Sequence, residues 1–421
     1  MKSVLLLLVS STALAQADLK SFLDAAESAN VDQRITVEAR NRAAAEYRAA
    51  WSALLPSLTA QAGWTHNQYD AVTQFPDSTS PTGLRELVII PKNQLDASLR
   101  FELPLIDTQR WIRAASAGVS NDSAELREQV TKDQVRRQVV AAYYGYAAAL
   151  ATQESAKKSA GVAEAQLKLM EIRTQAGATT ELDLSRARSE MQRTRQMVAD
   201  AAVLASTSRR TLRTLTGIEA PGAMPEWQDN LSPEAPLEEL EGRIDALPAV
   251  QAADKDASAT ELAATGAGLA LVPTVAANFT QRFTNATGFQ GRDSLYTAGV
   301  TATWRLDAPT FMNMGVVNAA ASQARLAVEK TKLAARDQVN ADWQRLNAAL
   351  IKIDAAKAQV ESAQRAAQVS KDRYAVGSAT QVDVIQAERD LFGAEVAQIS
   401  ARTELATARA SLRLSAALPL E

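Results

Sequence analysis

Long stretches of the chain have the composition and spacing of helices. From about Thr108 to Ala176 there is no proline, and Ala, Leu, Glu, Gln and Arg dominate. A second such stretch runs from about Asn313 to Val376. A glycine follows each one, Gly177 or Gly377, and another helical stretch comes after the glycine. Glycine just past the last periodic residue is typical of a helix C-terminus, so the pattern predicts two long helical hairpins.

Four shorter segments instead alternate between apolar and polar residues. They come in two pairs, which predict one β-hairpin over about 57–103 and another over about 274–306. Alternation places the apolar side chains of each strand on one face. Between the first two strands, "DAVTQFPDSTSPTG" is predicted to be a polar, exposed loop because its Pro, Ser, Thr and Gly favour connections. Aromatic residues are predicted near the strand ends on the apolar faces, namely Trp64, Phe101, Phe279, Phe283 and Trp304.

The two halves of the chain carry the same turn. "RTQAGATTELDLSRARSE", Arg173–Glu190, aligns with "RYAVGSATQVDVIQAERD", Arg373–Asp390, at a constant offset. A helix predicted over 18–55 precedes the first strand pair, and one over about 244–271 precedes the second. The order helix, strand pair, long helix, turn, helix therefore occurs twice, which indicates internal duplication. A segment rich in Pro and Gly, 218–243, separates the two copies.

Each turn has a complete local explanation. Thr180 and Thr380 stand where an N-cap residue would start the next helix, and Asp183 and Asp383 follow three residues later. A carboxylate at that position can bond back to the cap and is favoured by the helix dipole. A functional role is also open, because the duplication places two acidic turns at the same end of the predicted helices.

The first residues have the pattern of a secretory signal peptide. In "MKSVLLLLVSSTALAQA", Lys2 precedes a short apolar run, and the "ALA" that follows resembles a cleavage site. The apolar run is far shorter than the ~20 residues that span a bilayer as a helix. We expect residues 1–15 to be a signal peptide, with cleavage after Ala15 or Ala17, and the mature chain to work outside the cytoplasm.

Composition argues against several classes of function. The formal net charge is −3, so the chain lacks the basic surplus that a nucleic-acid partner requires. There are 0 Cys and 1 His, His66. These counts argue against thiolate and His-based metal sites, against a cysteine nucleophile and against a Ser/His triad. Paired acids such as Asp254 and Asp256 lie in a helical, solvated stretch, so a secreted hydrolase has little support. No catalytic residue, metal or cofactor is expected.

The strand pairs allow two interpretations. Their apolar faces could pack on helices in a soluble α+β protein. They could also face lipid, because about 9–11 residues suffice for a tilted strand to cross a bilayer. Four strands cannot close a barrel, and open sheet edges do not occur in lipid. The membrane interpretation therefore requires several chains to pool their strands.

The order of these motifs resembles the TolC-like outer membrane efflux protein family. The resemblance rests on the duplicated turn, on "LLPSLTAQAGW" and "FELPLID" around the first strand pair, and on "LVPTVAANF" and "TWRLDAPTF" around the second. It covers nearly the whole mature chain. It implies a mainly α protein with a transmembrane β-barrel, in which three chains pool four strands each in the outer membrane. Their long antiparallel helical hairpins would form an α-barrel tunnel through the periplasm.

The resemblance also implies roles for the turns. The residues expected to form the periplasmic tip and to dock onto an adaptor are Gly177, Thr180, Gly377 and Thr380. Those expected to shape the gate and its selectivity are Asp183, Asp383, Tyr374 and Gln386. Gln386 stands where the family often has a second acid, and Ala379 where it often has a basic residue. These departures concern how strong a ring of acids the tip can form and how firmly bonds can hold the closed state. They do not concern the expected fold.

We therefore interpret the chain as a passive outer-membrane exit duct of a tripartite efflux or type I secretion system. As a homotrimer in outer-membrane lipid, it would work with a periplasmic membrane-fusion adaptor and an inner-membrane pump of RND, ABC or MFS type. The alternative is a periplasmic coiled-coil adaptor or scaffold, against which two helical hairpins and two strand pairs count. The expected organisation is a first repeat over 18–217 with its turn at 177–180, an equatorial segment over 218–243, and a second repeat over 244–418 with its turn at 377–380.

Overall fold

The computed structural model describes residues 18–76, 78–79, 81, 83–225 and 229–420. The expected signal peptide, 1–15, lies outside the described residues. The described α-helices are α1 (Leu19–Ala29), α2 (Val31–Ser52), α3 (Thr108–Gln175), α4 (Glu181–Thr216), α5 (Leu237–Glu241), α6 (Pro248–Gly268), α7 (Ala308–Ala375) and α8 (Gln381–Ser415). The described strands are β1 (Ser57–His66), β2 (Ala71–Pro76), β3 (Leu84–Ile90), β4 (Asn93–Ile106), β5 (Thr274–Thr284) and β6 (Ser294–Thr303).

The chain divides into two compact units. The helical unit comprises the described parts of 1–38, 126–251 and 330–421, and the strand unit comprises those of 39–125 and 252–329. None of the described helices combines the length and the apolar character needed to cross a membrane.

The first helix differs from its prediction. In place of one helix over 18–55, α1 and α2 are separated at Asn30. The Asn30 side-chain oxygen accepts hydrogen bonds from the backbone N–H groups of Asp32 (2.9 Å) and Gln33 (3.4 Å). Asn30 therefore acts as an N-cap for α2, a use for which Asn is strongly favoured. Its amide also donates to the Leu215 carbonyl at 3.3 Å, which ties the break to α4.

Three apolar clusters form the described core of the helical unit. One surrounds Leu346 and Leu412, where α7 and α8 meet α5. A second surrounds Phe22 and Tyr146, between α1, α3 and α4. The third lies beside the first turn and contains Met170, Leu184 and Ala187. The first cluster thus packs the two helices of the second hairpin together, and the second cluster does the same for the first hairpin.

The 218–243 segment is attached to α8 by ion pairs. Glu234 accepts from Arg409 at 2.6 Å and from Arg413 at 3.0 Å, and only 10% of the Glu234 side chain is exposed. Asp229 accepts from Arg402 at 2.9 Å. These pairs anchor the segment to the second helical hairpin, although most of its described residues have no regular secondary structure.

The strand unit contains a four-stranded antiparallel sheet in the order β1-β4-β5-β6. The helices join these strands at one end of the sheet, and the connections 67–92 and 285–293 lie at the other. His66 ends β1, and its Nδ1 lies 2.8 Å from the Asn93 side-chain oxygen. In the single chain the residues of β1 and β6 are exposed, apart from partial burial at Leu295.

The prediction that "DAVTQFPDSTSPTG" is a loop is wrong at Ala71–Pro76, which form β2. Strands β2 and β3 pair there as a separate two-stranded sheet. The missed signal is the run Leu87–Ile90, which is rich in the β-branched residues that favour strands. Because this run is continuously apolar, it does not show the alternation by which the other strands were recognised.

Candidate functional site

Both turns have the same helix-ending backbone. In the first, Ala178 N–H donates to the Arg173 carbonyl at 2.8 Å, and Gly177 N–H donates to that of Thr174 at 3.0 Å. In the second, Ser378 N–H and Gly377 N–H make the equivalent bonds at 2.8 and 3.1 Å. The two glycines have φ of +70° and +78°, the left-handed conformation that other L-residues adopt only at a cost. The pattern is a Schellman motif, which satisfies carbonyls left open at a helix end.

The residues after the glycines start the next helix. Thr180 and Thr380 have extended backbones, and their hydroxyl oxygens accept from the backbone N–H groups of Asp183 (3.2 Å) and Asp383 (3.3 Å). At Thr380 the backbone N–H also donates to the Asp383 carboxylate at 2.8 Å, which completes a capping box. The four residues expected to form the tip therefore shape its backbone.

Asp183 lies among hydrogen-bond donors and beside a cation. Its carboxylate accepts from the hydroxyls of Thr180 (2.7 Å) and Thr179 (3.3 Å), and from the Arg186 guanidinium at 3.4 Å. The Thr180 hydrogen bond is the largest cause that lowers the pKa of Asp183 from its ordinary value. Asp183 is thus ionised and partly neutralised by Arg186.

Asp383 lies in a different setting. The backbone N–H and then the hydroxyl of Thr380 hold the pKa of Asp383 below its ordinary value, and both bonds are 2.8 Å long. Gln386, which occupies the position equivalent to Arg186, donates to Asp390 at 2.8 Å. Asp383 is therefore an exposed anion, and the residue equivalent to Arg186 cannot neutralise it.

Tyr374 connects the second hairpin to the first. Its hydroxyl lies 3.3 Å from the sulfur of Met170, and the Arg173 guanidinium lies over its ring at 5.2 Å from the centroid. The ring is partly buried against the cluster that contains Leu184. Within one chain, Tyr374 thus packs between the two turns, and Gln381 at the start of α8 adds a 3.0 Å hydrogen bond from Gln166.

Sequence analysis missed a second connection between the hairpins. Glu190 on α4 accepts from Arg389 on α8, with Nε at 3.0 Å, and from Arg193 on its own helix at 3.0 Å. Burial raises the pKa of Glu190, but the hydrogen bonds from Arg193 and Arg389 outweigh it, so the net shift is downward. The sequence contained one indication of this pair. Glu190 lies on the same buried face of α4 as Ala187 and Thr194, and a charged side chain on a buried face requires a partner.

The four-stranded sheet has one apolar and one polar face. Register partners on the apolar face include Leu58 with Phe101 and Trp64 with Leu95. Phe101 also pairs with Phe279, which lies at the middle of β5 and not near a strand end as expected. On the polar face, Arg282 binds Asp96 at 2.7 Å across β4 and β5.

The other predicted aromatics lie at the two ends of the sheet. Phe283 is near the loop end of β5, where its register partner is Ala97. Trp304 follows β6 at the helix end, and its indole N–H donates to the Leu271 carbonyl at 3.1 Å. Trp64, Phe283 and Trp304 all remain exposed in the single chain. This arrangement gives the apolar face large side chains at both ends, with Phe101 and Phe279 between them.

The chain matches one family model and several solved structures. The model of the family "Outer membrane efflux protein" matches residues 24–218 and 245–417. No curated protein sequence matches the chain. The Campylobacter jejuni CmeC outer membrane channel has a similar structure, with 17% identity, a TM-score of 0.79, and coverage of 94% of this chain and 85% of CmeC. A membrane protein from Pseudomonas aeruginosa gives 21% identity, a TM-score of 0.80, and coverage of 95% and 93%.

A third similar structure is the outer membrane protein VceC from Vibrio cholerae, with 17% identity, a TM-score of 0.77, and coverage of 96% of this chain and 97% of VceC. These likenesses confirm the expected fold class, and the family match favours a channel over a periplasmic adaptor and over an enzyme. The two matched segments also fit the internal duplication, one in each half. This chain therefore belongs to the outer membrane efflux protein family, as a mainly helical outer membrane channel that extends into the periplasm and whose four-stranded sheet is pooled with those of two other copies in one barrel.

Proposed function

We propose that this outer membrane efflux channel is the passive exit duct of a tripartite efflux system. A periplasmic adaptor would join it to an inner-membrane pump of RND, ABC or MFS type, which supplies the energy. The observation that carries the proposal is the joining of two equivalent turns into one tip by Tyr374 and by the Glu190–Arg389 pair. A tip held together in this way can present both turns to one partner. A type I secretion system would use the same tip and remains the second candidate.

The tip offers both backbone and apolar groups to an adaptor. Near the glycines, large apolar side chains are exposed at Ile172, Leu182, Val376 and Val382. Single exposed apolar residues are common, but here four lie close to two turns that share one geometry. We propose that these side chains, together with Gly177, Thr180, Gly377 and Thr380, form the adaptor-docking surface.

The acids of the turns supply the proposed selectivity. In a trimer, Asp183 and Asp383 would give two sets of three carboxylates around the duct. Carboxylates around a water-filled passage favour cations and can bind a polyvalent cation that blocks it. Because Asp383 lacks an equivalent of the Arg186 ion pair, it should contribute more of this field than Asp183. Tyr374 and Gln386 would set the width of the passage beside these acids.

Single-channel recording in a planar bilayer tests this proposal. Asp383→Asn keeps an oxygen that can accept from Thr380 N–H and removes only the charge. A monovalent cation 4 Å from a carboxylate in water gains about 1 kcal/mol and an anion loses as much, so we expect the cation-to-anion permeability ratio to fall at least about fivefold. Block by polyvalent cations should weaken in parallel. Asp183→Asn should have a smaller effect in both measurements.

The control is Glu361→Gln, which removes a negative charge on α7 away from the turns. It should leave both the permeability ratio and cation block unchanged. If Asp383→Asn behaves like this control, the tip acids do not set selectivity. The exporter class needs a separate readout: cells that lack this channel should become sensitive to small toxic compounds, whereas loss only of a secreted protein would favour type I secretion.

A further inference from the structure

The order of the strands determines which connections meet around the barrel. Strands β1 and β6 are the two edges of the sheet. In a barrel of three copies, the β1 edge of one copy pairs with the β6 edge of a neighbouring copy. The connections at the end remote from the helices must follow the same order as the strands. The β2–β3 hairpin of one copy therefore lies between its own β5–β6 loop and the β5–β6 loop of the neighbouring copy.

One face of the hairpin already contacts the loop of its own copy. The rings of Phe75 on β2 and Phe289 in the loop lie edge to face, with centroids 5.8 Å apart. Strand β3 also lies against the short turn Gly288–Gln290 that carries Phe289. Phe289 is nevertheless 69% exposed in the single chain. Much of this side chain is thus available for a second contact.

The opposite face of the hairpin carries an apolar pair near its base, with Gln74 and Glu86 beyond it. Val72 and Val88 are register partners in the hairpin, with exposures of 44% and 43%. Val72 lies three residues before Phe75, so the two side chains point to opposite faces of β2. Exposed apolar side chains on a strand tend to associate with another protein surface, and in a folded assembly they are normally buried.

The hairpin is held as a continuation of β1 and β4. At its base, Asn67 N–H donates to the Lys92 carbonyl at 2.7 Å, and the Asn67 amide donates to the Pro91 carbonyl at 3.0 Å. Lys92 N–H in turn donates to the Asp70 carboxylate. Pairing of β1 with a neighbouring β6 therefore determines which loop the Val72 face meets.

We propose that the β5–β6 loop of each copy docks on the β2–β3 hairpin of the neighbouring copy, with Phe289 packed against Val72 and Val88. The β5–β6 loop of the neighbouring copy is the docking partner because the contact continues the pairing of β1 with β6. The hairpin begins directly after β1, and the loop directly precedes β6. Each hairpin is then covered on both faces, by its own loop and by a neighbouring loop. Three such contacts form a closed apolar ring at the outer mouth and reinforce the pairing of β1 with β6.

Thiol cross-linking in outer membranes tests the contact. The chain has 0 Cys, so a pair of cysteines can be introduced without background. Val72→Cys combined with Phe289→Cys, treated with a short bismaleimide, should yield covalent dimers and trimers on denaturing gels. Phe75→Cys combined with Phe289→Cys is the matched control, which should cross-link only within one chain. Absence of dimers and trimers from the first pair while the control reacts, or cross-linking within one chain by both pairs, would overturn the proposal.

A second measurement follows the dissociation of the trimer in SDS. Phe289→Ser should dissociate at least about tenfold faster than the unmodified protein, because it removes an aromatic side chain from each of the three proposed contacts. Gln290→Ser, in the same turn, should dissociate at the original rate. Equal rates for both variants would contradict the contact. The conductance of intact trimers and its response to Asp383→Asn should be unchanged, so this test is independent of the tip proposal.

Discussion

The two hairpin turns share a backbone and differ in their electrostatic surroundings. Gly177 and Gly377 have nearly the same positive φ, and each is followed by a threonine cap and an aspartate. The first aspartate has Arg186 at 3.4 Å, whereas the second has Gln386, which is bonded to Asp390. The duplicated pattern thus preserves the turn, while the residues beside it distinguish the two copies.

This difference shows that the conformation and the charge of a turn are separate properties. The conformation depends on Gly, Thr and Asp, which act through bonds to neighbours only a few residues away. The charge beside each aspartate also depends on the residue at position 186 or 386, which takes no part in those bonds. Substitutions can therefore break one property and leave the other, and each turn serves as an internal control for the other.

Replacement of the turn glycines should have the largest effect on this comparison. Gly177→Ala and Gly377→Ala each force an L-residue into the left-handed region, which costs roughly 1–2 kcal/mol. We expect equal losses in the free energy of local opening at the two turns. Hydrogen exchange of peptides that cover 170–190 and 370–390, measured on the detergent-solubilised trimer, would report both values from one molecule.

Gly393→Ala is the control for these variants. Gly393 lies inside α8, and a Cβ built there meets no atom within 4 Å. Alanine at that position should stabilise the helix by up to about 1 kcal/mol, which is the opposite sign. Clearly unequal losses at the two turns would show that surroundings, and not the shared backbone, dominate their stability.

Substitutions at positions 186 and 386, beside the acids, should have a smaller effect than those of the turn glycines. Arg186→Gln should lower the free energy of local opening at the first turn by about 0.3–0.5 kcal/mol, the usual value of an exposed ion pair on a helix. Gln386→Arg should raise that of the second turn by a similar amount. Both changes should vanish in high salt, which screens exposed charges. A difference that persists at high salt would mean that these side chains act through packing.

Protonation of the turn acids should have the smallest effect, because both carboxylates are largely solvated. The pKa values of Asp183 and Asp383 are lowered from the ordinary value of 3.8 in the folded chain. Their stabilising contribution is therefore complete above the unfolded pKa and is lost as pH falls through the folded pKa. Exchange protection at both turns, corrected for the intrinsic rate, should be constant above about pH 5 and should decrease below about pH 4. Loss of protection already near neutral pH would contradict the lowered pKa values.

Local patterns predicted most of the fold because their physical causes are local. Alternation located β1, β4, β5 and β6, and helical composition located α3 and α7. The same reasoning failed where one residue had a special contact or where a strand was uniformly apolar. Asn30 splits the first helix through its side-chain bonds, and Leu87–Ile90 joins a hairpin without alternation.

The candidate site was predicted only in part. The sequence pattern identified Gly177, Thr180 and Asp183 with their equivalents in the second half, and the structure shows that they form two matching turns. It did not identify Glu190 or its pairing with Arg389, because that bond depends on how α4 and α8 pack. The gate and docking roles of the turn residues remain predictions until the proposed measurements are made.

The sequence by itself determined the duplicated elements, the two turns and the amphipathic strand faces, because each depends on residues close together in the chain. Tertiary structure alone decided that Tyr374 contacts Met170, that Glu190 binds Arg389, and that the hairpin after β1 packs beside Phe289. These partners lie roughly two hundred residues apart, and no fixed spacing relates them. Their contacts arise only when the helices and strands pack, since packing must bury apolar surface and provide each buried charge with a partner.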